Sequence, residues 1–164
     1  MNHQGGFFMR ILLLFALIGL SFVPPRKAPK KILLDELVND WHQSASDANF
    51  ESYFGLMNEV FVFLGTAPGE RWSKKEFASF SKPYFDKGKA WDFKVIDREW
   101  VFSKNKKIAW FDENLNTWME DCRGSGIMIK EKGKWKLAYY NLTVLIENEK
   151  IQEFIELRRR EIAN

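Results

Sequence analysis

Along residues 34–48 the apolar side chains are Leu34, Leu37, Val38, Trp41, Ala45 and Ala48, mostly three or four positions apart. That period gathers them on one stripe of a helix and predicts a first amphipathic α-helix. Asp47 or Asn49 can cap a second, short helix whose Phe50, Tyr53, Phe54 and Met57 share a face. The period then changes. Residues 59–64 hold the run Val60-Phe61-Val62-Phe63-Leu64, closed by Gly65-Thr66-Ala67-Pro68-Gly69, which predicts a strand running into a loop. Ser73 with Glu76 three residues on has the form of a capping box. Phe77, Phe80 and Tyr84 follow at helical spacing, so a third helix is expected from Ser73 until Pro83 and Gly88 end it.

Four runs follow at residues 91–103, 107–115, 122–131 and 134–146, with turns at Lys104-Asn105 and Lys132-Gly133, and predict an antiparallel meander. In the first run apolar residues occupy odd positions at Trp91, Phe93 and Val95, then even positions at Trp100 and Phe102. The switch of parity predicts a β-bulge between Val95 and Trp100, which bends the sheet. Residues 149–162, with Ile151, Phe154, Ile155 and Ile162, predict a C-terminal helix. Strands that do not alternate with crossover helices exclude a parallel α/β sheet. The expected class is α+β, a curved antiparallel sheet wrapped on the N-terminal helices.

Composition adds one feature and removes one. Rings make up 16% of the chain, so in a domain of this size they must fill a core, line a pocket or cover an interface. The formal charge of +3 comes from Arg10, Arg26 and Lys27, which precede residue 28 where there is no acid; the rest balances 22 basic against 22 acidic residues. Nucleic acid is therefore not an expected partner, and Lys104, Lys106, Lys107 and Arg158 to Arg160 are read as solvated faces. Residues 11–23 are uncharged and apolar, behind Arg10 and ahead of Pro24-Pro25. This layout predicts a signal peptide or N-terminal anchor over 1–28, translated from Met1 or Met9, then a linker over 29–31, a domain over 32–148 and a terminal helix over 149–164. Export to a periplasmic or extracellular space is expected, with membrane contact only through an uncleaved leader. Cys122 is the lone cysteine, so no internal disulfide can form, and it is read as a small buried or edge residue.

Metal, nucleotide and other cofactor sites have no support in the chain. It carries no Gly-rich phosphate loop, no His-x-x-x-His and no paired cysteines. Apart from His3 in the leader the sole histidine is His42, expected at the surface or at a pocket edge.

Four segments carry a resemblance: Val62-Phe63-Leu64-Gly65-Thr66 with Glu70-Arg71-Trp72; Ala109-Trp110-Phe111-Asp112-Glu113; Cys122-Arg123-Gly124-Ser125-Gly126; and Trp135 with Tyr139-Tyr140-Asn141-Leu142. In this order, over about residues 34–146, they resemble the SnoaL-like branch of the nuclear transport factor 2-like superfamily. The resemblance implies a cone-shaped α+β roll whose helices close one side of an aromatic-lined cavity. That fold hosts isomerases, cyclases, dehydratases and non-catalytic binders. The chain departs from the pattern at Ile146-Glu147-Asn148, where relatives carry a proline.

Within such a cavity, strand alternation sets Ile108, Trp110, Asp112 and Asn114 on one face and Ala109, Phe111, Glu113 and Leu115 on the other. With the Trp110 face inward, Asp112 becomes a carboxylate among rings and a candidate general base. Arg123 on the next strand can pair with Asp112 or Glu113, as a structural ion pair or as a ligand-binding pair. Trp72, Trp91, Trp110, Tyr139 and Asn141 complete the expected lining, with Trp135, Leu137, Tyr139, Asn141 and Thr143 sharing a strand face. This combination suits a small, mostly apolar ligand with one or two polar handles. Three functions are thus open: a small-molecule binding module; an isomerase, cyclase or dehydratase with Asp112 as base; and a homodimerisation module pairing through Phe111, Ala138, Tyr140 and Leu142. Glu70 with Arg71 is read as a loop-ordering ion pair.

Overall fold

The computed structural model describes residues 30–162, and the leader expected over 1–28 lies outside the described residues. The elements run α1 (Lys30–Ser46), α2 (Phe50–Leu56), β1 (Met57–Leu64), β2 (Arg71–Ser73), α3 (Lys74–Asp86), β3 (Lys94–Phe102), β4 (Ile108–Thr117), β5 (Glu120–Glu131), β6 (Lys134–Val144), a 3-10 turn Asn148–Lys150 and α4 (Ile151–Ile162). Of the two cap candidates it is Asn49 that starts α2, its side chain accepting the Ser52 N–H at 3.0 Å. The capping box at α3 is complete: Ser73 Oγ accepts from the Glu76 N–H, and the Glu76 carboxylate accepts from the Ser73 N–H. Each such cap is worth about 1 kcal/mol. Pro83 does not end α3, which runs through it to Asp86. The stop comes at Gly88, which turns with a φ of +82° as its N–H bonds the Phe85 carbonyl.

The sheet order is β2-β1-β6-β5-β4-β3. The meander β3 to β6 forms as expected, but the sheet is mixed, because β1 pairs β6 in parallel. The two meet only after the whole of α3 and four strands, and no tight turn dictates their direction. Arg71, read as loop, folds back together with Trp72 and Ser73 as a short antiparallel edge strand on β1.

Two bulges decide which side chains face the helices. In β3 the register shifts between Val95 and Asp97, leaving Ile96 as the extra residue, within the predicted interval. In β6 it shifts beside Ala138, so Trp135 and Leu137 point inward before the shift and Tyr140 and Leu142 after it. The single face expected for Trp135 through Thr143 is therefore split, with Tyr139 and Asn141 turned the other way. Between sheet and helices lies a core of Leu34, Val38, Trp41, Tyr53, Phe61, Phe77, Phe111, Leu115, Met128 and Leu137. Its rings touch one another closely; Phe63 and Phe77 stack with centroids 4.0 Å apart.

Candidate functional site

Inside this core sits one carboxylate. Glu113 on β4 is 1% exposed, and each of its oxygens is held. Oε1 receives the Tyr140 hydroxyl at 2.6 Å and lies 2.8 Å from His42 Nε2. Oε2 accepts from Arg98 Nε at 2.8 Å and has Nη2 of the same guanidinium at 2.6 Å. Arg98 and Glu113 are direct cross-strand partners, and Gly124 faces Glu113 from the other side. Burial alone raises the Glu113 pKa, but the charges and hydrogen bonds of His42, then Arg98 and Tyr140, outweigh it and hold it at about 2. Tyr140 moves the opposite way, raised well above its ordinary value by burial and by the Glu113 charge.

Helix α1 closes the cluster from above. Its Asp35, Asn39 and His42 are spaced four and three residues apart and so lie on one face. Arg98 Nη1 donates to Asn39 Oδ1 at 3.0 Å and lies 3.3 Å from Asp35 Oδ1, which also accepts from Trp100 Nε1 at 2.7 Å. Two acids and one arginine are thus interleaved between helix and sheet, and taking away the arginine would leave the buried Glu113 without its cation.

His42 connects the cluster to solvent. It is 5% exposed and forms the wall of a pocket of about 230 Å³ with Asn39, Gln43, Ser46, Asp92, Phe93 and Val95. Its Nδ1 has no hydrogen-bond partner among the described residues, yet it is not one of the sealed, unsatisfied polar atoms. A larger, open groove of about 790 Å³ runs between α1, α2 and the β5–β6 turn, floored by Leu37, Trp41, Leu56 and Trp135. It holds none of the Glu113 cluster. No group of three or more potential metal ligands occurs among the described residues.

The residues singled out from the sequence separate into two sets. Trp110, Asp112, Arg123, Tyr139 and Asn141 lie on the outer sheet face, away from the helices; Trp110 is 45% exposed. Asp112 stands opposite Ser125 and Arg123 opposite Asn114, so the expected pairing of Arg123 with either acid does not form. The acid that is paired is Glu113, and its arginine is Arg98. Trp72 and Trp91 do face inward, but as packed rings: Trp72 lies 4.5 Å from Phe80 and 5.8 Å from Phe77, Trp91 5.5 Å from Tyr53. Phe111, Tyr140 and Leu142, expected at a dimer contact, are buried core. Glu70 orders its loop by accepting the Ala67 N–H at 3.0 Å, without Arg71. Cys122 is fully buried.

His42, Arg98 and Glu113 carried signals of their own. His42 falls inside the apolar stripe of α1, between Val38 and Ala45, where a polar ring needs a partner. Arg98 shares the parity of Trp100 and Phe102 once the bulge is placed. Gly124 and Gly126 alternate on β5, and glycines on one strand face mark where large neighbours press close. A Cβ at Gly126 would lie 2.3 Å from the Phe111 ring.

The outer face has an order of its own. Val62, Tyr139, Ile127, Trp110 and Val101 are successive cross-strand partners on five adjacent strands and make one apolar row. Ile108 and Ile129 pair in the row beside it.

A bent mixed sheet closed by helices over a buried polar cluster defines a cone-like α+β roll, and solved structures share it. An NTF2-like protein of unknown function from Pseudomonas putida superposes with a TM-score of 0.60 at 8% identity, covering 74% of this chain and 90% of that one. A putative ketosteroid isomerase from Parabacteroides distasonis gives 0.56 at 10% identity, over 69% and 86%. The association domain of C. elegans CaMKII gives 0.56 at 16% identity, over 69% and 94%. No curated protein matches the chain. The sequence pattern of the SnoaL-like domain matches residues 34–147, more than half of the chain. The chain belongs to the SnoaL-like domain family.

Proposed function

We propose that this domain binds a small molecule at the pocket over His42. The observation that carries the reading is a nearly buried imidazole that lines the pocket, with one nitrogen held by Glu113 and the other without a hydrogen-bond partner among the described residues. Phe93 and Val95 supply apolar contact; Asn39, Gln43, Ser46 and Asp92 supply polar handles. The ligand stays small, as expected from the sequence, but a lining with more polar than apolar residues suits a more polar molecule, and its place moves from the Trp110 face to the pocket beside α1. The names of two structural neighbours, the putative ketosteroid isomerase and a putative aromatic ring hydroxylase from Novosphingobium aromaticivorans, support small-molecule chemistry on this fold. NMR titration with a library of small carbonyl and phenolic compounds tests the reading. Shifts gathered at His42, Phe93 and Val95 carry it; shifts gathered at the 790 Å³ groove or on the outer face overturn it.

A second activity, self-association, is favoured by the in-register apolar row on the outer face. Monomeric proteins rarely expose contiguous apolar surface of this kind, and a two-fold axis through the row would close the contact as a homodimer. The CaMKII association domain among the structural neighbours supports it. Light scattering over a dilution series decides: a constant monomer mass at high micromolar concentration removes the reading. The apolar run behind Arg10 further supports export of the chain, and N-terminal sequencing of the protein from its native compartment tests that.

A further inference from the structure

We infer that the open groove between α1 and α2 receives α4 of a second copy of this chain, with Arg158 of one copy set against Asp40 of the other. Helix and groove each expose an apolar surface. Among the described elements α4 packs appreciably only on the 3-10 turn that leads into it, and Ile151, Phe154 and Leu157 stay 37%, 37% and 55% exposed. The groove, about 790 Å³, is floored by Leu33, Leu37, Trp41, Leu56 and Trp135. An amphipathic helix laid in an apolar groove buries both surfaces at once. Gly55 of α2 borders the groove, and nothing lies within 4 Å of where its Cβ would stand. Its bare surface lets a second helix come close.

The two surfaces repeat one pattern. On α1 the groove side carries Leu33, Leu37 and Asp40, four and three residues apart. On α4 Ile151, Ile155 and Arg158 have the same spacing, so in each helix two apolar side chains and one charge share a face. The charges are opposite. Arg158 stands inside the apolar stripe of its helix, with its guanidinium 5.8 Å from the centre of the Phe154 ring. Asp40 is the acid beside Leu37 and Trp41 in the groove. Neither side chain makes an ion pair among the described residues. A parallel pairing sets Ile151 by Leu33, Ile155 by Leu37 and Arg158 by Asp40, which gives each charge its counterpart.

Direction and reach identify a second copy as the source of the helix. Asp35 meets the sheet at the level of Trp100, Phe111 and Tyr140, and His42 at the level of Glu113 and Leu142. Helix α1 therefore runs the way β6 does, with its first turn toward Lys136 and its last toward Val144. Antiparallel docking of α4 would carry Arg158 toward Lys134 and Lys136, like charges at that end of the groove. Parallel docking puts Ile151 there instead. In one chain the strand from Lys136 to Val144 covers about 26 Å, and the Leu145 N–H is tied to the Asp121 carbonyl. Residues 146–150 span at most about 17 Å, too little to bring Ile151 back to the Lys136 end. A reciprocal exchange between two copies closes as a dimer, and the outer apolar row takes no part in it.

Sedimentation velocity over a dilution series tests the exchange. The protein should associate. Asp40→Arg and Arg158→Asp should each weaken association about tenfold or more, and the double variant, which restores an opposite pair with the signs exchanged, should recover most of that loss. Phe154→Glu should weaken it with the circular dichroism of the monomer unchanged. Single variants without effect, or a double variant no better than either single one, overturn the inference. Loss of association in Ile127→Lys with none in the Asp40 and Arg158 variants also overturns it, and leaves the outer-row reading standing. A parent that stays monomeric at high micromolar concentration overturns both. An oxidised mixture of Leu37→Cys and Ile155→Cys chains should give a product of twice the chain mass. If the two cysteines placed in one chain link only within it, the second copy is excluded.

Discussion

Tyr140 and Glu113 meet at 2.6 Å against the backbone of Gly124, where a methyl group would lie 2.1 Å from the tyrosine oxygen and 2.8 Å from Glu113 Oε1. The conformation of Gly124 asks for no glycine; the closeness of two side chains from β4 and β6 does. Gly124→Ala should cost about 1–3 kcal/mol through forced displacement of the cluster. Gly55→Ala, in α2 with open space around it, should instead gain a few tenths up to about 1 kcal/mol. Urea unfolding of both variants is the check.

The low pKa of Glu113 ties stability to acidity with a definite sign. The carboxyl is depressed from 4.5 unfolded to about 2 folded. Between these values the unfolded chain binds more protons, so stability is fully present above about pH 4.5 and is lost as pH falls toward 2. The depression is worth about 3 kcal/mol. Thermal melts from neutral pH downward should show that fall. Glu113→Gln should begin lower at neutral pH, by up to about 3 kcal/mol, since Arg98 loses its buried carboxylate and keeps only the partly exposed Asp35, and should show a smaller fall in acid.

Asp112 makes a contrasting case. It is exposed on the outer face, and its side chain makes no hydrogen bond or ion pair among the described residues. Asp112→Asn should stay within about 0.5 kcal/mol of the parent in stability and should leave the His42 and Phe93 resonances where they are. A shift at His42 in this variant would contradict the two-face description of the sheet.

For the outer row, Ile127→Lys places a charge at its centre, between Trp110 and Tyr139. The expected outcome is a smaller particle by light scattering with an unchanged monomer fold by circular dichroism. Retained mass would show that association, if present, uses another surface.

Much of the architecture could be read from local pattern. Stripe spacing predicted α1, Ser73 with Glu76 marked the start of α3, and the parity change in β3 located its bulge. What alternation cannot say is which of two strand faces turns inward. Trp110 and Asp112 share one face, Phe111 and Glu113 the other, and both offer a ring beside an acid. The choice is made by partners far apart in the chain: Arg98 is 15 residues before Glu113, Tyr140 27 after it and His42 71 before it. The second bulge, beside Ala138, hid the answer further, because regular alternation from Leu137 would have put Tyr139 inward in place of Tyr140.

The spare residue at Ile96 sets more than curvature. Regular pairing onward from Val95 would have turned Asp97 and Glu99 toward the helices and Arg98 toward water. Glu113 would then have met other acids, and Asp35 on α1 would have faced the same sign. One uncharged isoleucine, itself outside the cluster, thereby fixes the sign of the electrostatic potential at the centre of the molecule. It makes the interior a place where an anion can rest and a histidine can be held against it.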